Sequence, residues 1–277
     1  MKQKIFLFLI FSIAFSAIAQ NINQTIELAD NAKDAENYQA AVEYYERALF
    51  FDSNQEYYPS VSNNIAECYF SLHDYPNAIK YYSLAFNLSK NDSLRNFYSL
   101  RKIESLILNH NFSYAYIELL ENEGANKGEK EWTLYAAISC FGMEQYDDSK
   151  KYFLLLIPSN NEKDSILVET SFLKLSKYQK RLKPNRAKLM SFIIPGLGQF
   201  YSGNIKNGLN SLILNGLLIY FTIELSITYT VMDALLATGP WIQRYYLGGT
   251  NNAKHSCEMQ LAKRKNQVYQ KLLEIVK

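Results

Sequence analysis

Cysteine is scarce in this chain. Its 277 residues include only Cys68, Cys140 and Cys257. An exported protein stapled by disulfides carries an even and denser set, so a disulfide framework is ruled out. No C-x-x-C occurs, which removes the usual structural zinc site and the thioredoxin-type redox site. Cys68 and Cys140 fall on apolar faces of expected helices and read as small buried hydrophobes. Histidine is equally rare, at three residues. No G-x-x-x-x-G-K-[ST] is present, so the glycine-rich stretch is not a phosphate-cradling loop. No nucleophile–base pair and no metal-ligand spacing stand out. The sequence therefore assigns no catalytic, cofactor-binding or metal-binding residue, and it reads as a scaffold rather than an enzyme.

The first nineteen residues set the expected compartment. Lys2 and Lys4 precede an apolar run from Ile5 to Ala17, and Ala17-Ile18-Ala19 is a small-x-small cleavage site before Gln20. This is the pattern of a secretory signal peptide over 1–19. No cysteine follows the cut, which argues against a lipoprotein anchor. The expectation is an exported chain associated with the bacterial cell envelope.

Charge then divides the chain. Residues 20–178 carry 14 Lys/Arg against 23 Asp/Glu, a net of −9, and residues 179–277 carry 13 against 4, a net of +9. The basic part is also the part with long apolar runs. Basic plus apolar points to anionic lipid before nucleic acid.

The acidic part repeats. Tyr38, Ala41, Tyr45 and Ala48 recur as Tyr75, Ala78, Tyr82 and Ala85, in the pattern Y-x-x-A-x-x-x-Y-x-x-A. Weaker copies start at Phe112 and Tyr146, so the anchor aromatics are spaced 37, 37 and 34 residues apart. The pattern predicts helices over 22–35, 38–52, 57–71, 75–89, 93–108, 112–122, 130–142 and 146–156, with a ninth over 160–182 capping the stack. Asp164 or Ser165 is the expected cap of that ninth helix, and 124–128 is the expected loop. His73 and His110 occupy the same turn position as Glu36 and Glu144, so the repeat accounts for them without chemistry. Tyr44, Tyr58 and Tyr81 are the candidates for contact with a protein or peptide partner, because tyrosine is enriched at interfaces.

This part resembles the tetratricopeptide repeat family over about residues 22–160. The family's unit is a helix–turn–helix of about 34 residues, and its units stack because one alone cannot bury its apolar face. The resemblance implies an all-α solenoid over 20–182 that binds protein. The family's closing proline is missing, with Ser53 and Lys90 in its place.

The basic part opens with Lys180, Arg181, Lys183, Arg186 and Lys188, and Pro184 within this run should stop the ninth helix. Leu189 to Tyr201 is apolar but shorter than a straight span, and Pro195-Gly196 should break it. A polar turn is expected over 203–208. Leu209 to Met232 then runs 24 residues with one charge, Glu224, and is long enough to cross a bilayer. Two readings of Glu224 stand. One is an ion or ligand site, paired with Arg244 or Lys206 or protonated. The other is that Glu224 ends a helix at an interface and Leu225 begins the next. Trp241, Tyr245 and Tyr246 beside Arg244 suit a membrane–water boundary. Gly248-Gly249 is expected to release a separate basic amphipathic helix over 250–277.

The run Pro195-Gly196-Leu197-Gly198-Gln199-Phe200-Tyr201-Ser202-Gly203 resembles the P-G-L-G-Q-x-Y-x-G signature of small two-helix transmembrane domains. That resemblance implies an α-helical membrane hairpin over 183–249, with Pro195, Gly196, Gly198, Gln199, Tyr201, Gly203 and Glu224 as its marked residues, and no chemistry. The combined expectation is an exported, membrane-anchored repeat scaffold that mediates protein–protein interaction. The rival is a membrane module that binds or moves a small ligand through Glu224, with the repeats as regulator.

Overall fold

The structure, a computed structural model, describes residues 22–122 and 129–277. The expected signal peptide and the expected 124–128 loop lie outside the described residues. Thirteen helices and no strand are present among them. The chain divides into two compact units, residues 1–156 and 157–277.

The first unit holds α1 (Ile22–Asp34), α2 (Tyr38–Phe51), α3 (Tyr58–Ser71), α4 (Tyr75–Leu88), α5 (Asp92–Leu108), α6 (Phe112–Glu121), α7 (Lys130–Gly142) and α8 (Tyr146–Leu155). Each helix packs on the next, and α5 also packs on α7. The ends match the expected ones within two residues, because capping and turn residues set them locally. Asn37, Asp74 and Asn91 accept the backbone N–H of Ala40, Asn77 and Leu94 at 3.2–3.4 Å, supplying N-caps.

The repeat period is written in the backbone. Glu36, His73, His110 and Glu144 all adopt positive φ, between 57° and 64°. Each follows a helix, and the next residue's N–H reaches back five residues in the six-to-one bond of a Schellman turn. These bonds join Asn37 to Ala32, Asp74 to Tyr69, Asn111 to Leu106 and Gln145 to Cys140, at 2.8–2.9 Å. The two histidines are therefore turn residues held left-handed.

Small residues let the helices close and large rings fill the space left. Ala29, Ala41, Ala66, Ala78 and Ala85 are fully buried, as are Tyr45 and Tyr82. Tyr45 donates its hydroxyl to Asp30 on the preceding helix. Farther along, Ile103, Leu106, Leu119 and Trp132 form another cluster, and the Trp132 indole N–H donates to the Leu119 carbonyl at 3.2 Å. Lys102 pairs with the buried Glu118 carboxylate at 2.6 Å, which offsets the cost of burying a charge between α5 and α6.

The second unit holds α9 (Glu162–Arg181), α10 (Pro184–Ile193), α11 (Leu197–Tyr201), α12 (Ile205–Thr228) and α13 (Val231–Val276). Here the structure departs from the expectation in several places. Helix α9, expected to cap the repeats, packs along α13 and belongs to this unit. Its N-cap is Asn161, whose Oδ1 accepts the Asp164 N–H at 3.3 Å, rather than Asp164 or Ser165. Pro184 does end the reach of α9 and also starts α10, since a proline at the first helical position sacrifices no hydrogen bond.

The expected turn over 203–208 is only two residues deep, because Asn204 caps α12 and draws Lys206, Asn207 and Gly208 into its first turn. Helix α12 passes straight through Glu224 to Thr228, so Glu224 does not end a helix. Helix α13 continues unbroken through Pro240 and Gly248-Gly249 over 46 residues, so no separate helix starts at 250. Pro240 removes only one backbone bond, and side chains fasten α13 on both sides of it. Thr222 Oγ1 donates to Thr238 Oγ1 at 2.9 Å, and Gln199 Nε2 donates to the Gly249 carbonyl at 2.8 Å.

Candidate functional site

The marked glycine-rich run is the joint of the second unit. Helix α10 stops at Ile193, Pro195 and Gly196 form a turn, and α11 begins at Leu197. Gly196 sits at φ 92°, where a side chain is strained, and its Cα lies so close to the Gly208 carbonyl that a Cβ would overlap it. A Cβ on Gly198 would overlap the Ala187 carbonyl. These glycines bring α10, α11 and α12 to backbone contact.

Gln199 sits at the centre and is almost wholly buried. Its Oε1 accepts from Ser191 Oγ at 2.7 Å, and Ser191 Oγ in turn accepts the Gly198 N–H at 2.8 Å. With the bond to Gly249, one amide ties α10, α11 and α13 together. Tyr201 does the same toward α9. Its hydroxyl donates to the Arg181 carbonyl and accepts the Lys183 N–H at 3.2 Å. The signature residues are structural fasteners, and no chemistry follows from them. The sequence marked Gln199 but not its partner Gly249, since a bond across 50 residues leaves no local pattern.

Helices α12 and α13 pack with polar and small residues inward. Gly208 and Asn215 are the buried residues of α12, and Thr222 continues their seven-residue spacing. Ala234 and Thr238 are buried opposite on α13. The apolar residues face out. Ile213, Leu217, Phe221, Ile223 and Ile227 of α12 and Leu235, Leu236 and Trp241 of α13 are all at least half exposed. Helix α12 is long and apolar enough to cross a membrane.

Glu224 lies on that outward surface and has no ion-pair partner among the described residues. Neither expected partner is in register with it. Lys206 is eighteen residues away on the same helix, about 27 Å. Arg244 lies six residues beyond Thr238, the residue that meets Thr222, and so toward the opposite end of α12 from Glu224. Arg244 instead lines a polar cavity of about 300 Å³ with Asn207, Asn210, Ser211 and Asn252.

The candidate partner tyrosines separate by burial. Tyr81 is buried, stacked on Tyr69 with centroids 5.7 Å apart, and its hydroxyl donates to Glu46 at 2.6 Å. It fills a gap between helices and does not present its ring to a surface contact. Burial, with the Glu46 carboxylate beside it, pushes its hydroxyl well above the usual tyrosine range. Tyr58 is half-buried against the same cluster. Only Tyr44 is exposed. Phe50 and Tyr114 are far more exposed, and the repeat pattern gave no reason to choose them.

No group of three or more His, Cys, Asp or Glu among the described residues is placed to hold a metal ion. Cys68 and Cys140 are buried, and burial pushes each thiol up to about 11, so both are neutral and unreactive at pH 7. Comparison with protein-family models, with curated proteins and with solved structures gave no match.

Proposed function

We propose that this chain is an exported, membrane-anchored repeat scaffold, with the second unit as its anchor and the first as its protein-binding part. The observation that carries the anchor is the inverted packing of α12 on α13. A helix pair in water buries its leucines and exposes its polar residues. This pair does the reverse, and in lipid the reverse is favourable. Small residues let helices approach closely, hydroxyls bond across the interface, and the aliphatic face meets acyl chains. Exposing so large a contiguous apolar surface to water is rare in soluble proteins.

The reading of the first unit rests on the four left-handed turns in register and on the resemblance to tetratricopeptide repeats. Such stacks present a curved surface assembled from successive helices, and they bind protein through it. Tyr44, Phe50 and Tyr114 are the exposed aromatics proposed to meet the partner. Export follows from the pattern of residues 1–19, and the location at the bacterial envelope follows from export plus the anchor.

Carbonate extraction of envelope membranes tests the anchor. The full chain stays in the pellet, and Ile219→Lys, in the middle of α12, moves it to the supernatant. A charge at mid-span costs roughly 3 kcal/mol on insertion. Release of the unaltered chain by carbonate would refute the anchor.

A further inference from the structure

The base of the α12–α13 pair holds a polar hollow that neither the anchor nor the repeats require. Two adjoining cavities, of about 300 and about 710 Å³, share Asn207 and Asn252. The smaller takes in Arg244, Asn210 and Ser211, and the larger takes in Lys206, His255 and Lys263. Every charged side chain that lines them is basic or a histidine, and no carboxylate is among the lining residues. Arg244 has no ion-pair partner among the described residues, and the buried Ser211 hydroxyl has no hydrogen-bond partner there. The cavities therefore converge hydrogen-bond donors and positive charge on a space of small-molecule size, and of the charged lining groups His255 is the one with a carboxylate beside it, Glu258 at 3.9 Å.

Their depth identifies the occupant. Ser211 lies seventeen residues before Thr228, the end of α12, which is about 26 Å along the helix. The hydrocarbon core is about 30 Å thick. If the tip of the pair reaches one face of the bilayer, the cavities open at the opposite head-group level. Tyr245 lines the smaller cavity at this end, where amphipathic rings settle. Guanidinium and amide groups are the donors that phosphate oxygens take.

We infer that the hollow binds the phosphate of an anionic phospholipid head group, with Arg244 as the charged donor and Ser211, Asn207 and Asn210 as neutral ones. This rests on the anchor reading and adds the lipid class. Gly249 keeps the site open, since a Cβ there would stand 3.0 Å from Ser211 Oγ.

The test reconstitutes the full chain into phosphatidylcholine vesicles with or without a minor fraction of phosphatidylglycerol. Carbonate resistance is scored first, and the lipids that remain bound after transfer to detergent are then counted by native mass spectrometry. The unaltered chain retains phosphatidylglycerol over phosphatidylcholine. Arg244→Gln stays carbonate-resistant but retains about tenfold less, the loss expected for one charge-assisted contact. Lys271→Gln, which removes the same charge away from the cavities, retains the full amount. An inserted chain with no lipid preference, or an equal loss in both variants, overturns the inference and leaves the anchor standing. Displacement of the bound lipid by inorganic phosphate in the millimolar range would make free phosphate the occupant and overturn the lipid assignment. Release by carbonate from both vesicle types would overturn the anchor and this inference with it.

Discussion

Replacing Gln199 by Leu tests whether one buried amide holds the second unit together. Leucine keeps much of the volume but removes both side-chain bonds. The Gly249 carbonyl loses a 2.8 Å bond from Nε2 but sits within α13, so its loss costs about 1 kcal/mol. Ser191 Oγ loses its acceptor at 2.7 Å while buried, and a stranded hydroxyl costs about 1–3 kcal/mol. Together the change is about 2–3 kcal/mol, after allowing for the more apolar side chain. The natural reporter is Cys257, fully buried beside Leu182 and Ala187 in the core of the same unit. Its alkylation requires local opening, so its rate rises with the opening equilibrium, by roughly 30-fold to 150-fold. Cys68 and Cys140 lie in the other unit and serve as internal controls in the same sample. Site-resolved mass spectrometry after a pulse of iodoacetamide reads all three. An unchanged Cys257 rate, or an equal rise at all three thiols, refutes the reasoning that Gln199 is the fastener of this unit.

Other perturbations probe the first unit. His73→Gly relieves a left-handed residue and raises stability by about 0.5–1 kcal/mol, seen as slower Cys68 alkylation, whereas His73→Val lowers it. Tyr81→Phe removes the bond to Glu46 and costs about 1 kcal/mol in urea unfolding, while capture of the partner is unchanged because the ring is buried. Burial raises the Cys68 and Cys140 thiols from about 9 to about 11. The folded state then holds protons that the unfolded chain has released, so stability is full below pH 9 and falls between pH 9 and 11. Replacing Cys68 with Ala flattens that fall in pH-dependent urea midpoints. Tyr44→Ala weakens partner capture without changing unfolding, since its ring is exposed.

Local patterns in the chain foretold the eight helices of the first unit nearly to the residue. Caps and turns are decided by neighbours a few positions apart, and Asn37, Asp74 and the 37-residue period are all visible in a linear string. The buried alanines and tyrosines were legible for the same reason. The need for glycine at 196 and 198 was also written locally, although the carbonyls they meet, at Gly208 and Ala187, were not.

Which tyrosine stays exposed was not legible. Tyr44 and Tyr81 carry similar local signals, and only the neighbouring helix, with Tyr69 and Glu46, buries one of them. The fate of Pro240 and Gly248-Gly249 was likewise decided at a distance. Gly248-Gly249 read as a break, yet α13 runs on through it and through Pro240, with Thr238 bonded to Thr222 and Gly249 bonded to Gln199. The attachment of α9 to α13 was hidden too, because its apolar spacing suits any flat partner.

The sequence by itself determined the helical class, the repeat period and the apolar length of α12. Each depends on propensity and spacing along one strand of chain. Only the tertiary structure decided that α12 turns its asparagine and threonine inward, that Glu224 stands apart from Arg244, and that Arg244 opens into a polar hollow. These are matters of which face meets which neighbour, and rotation about a helix axis is set by packing, not by the identity of the residues alone.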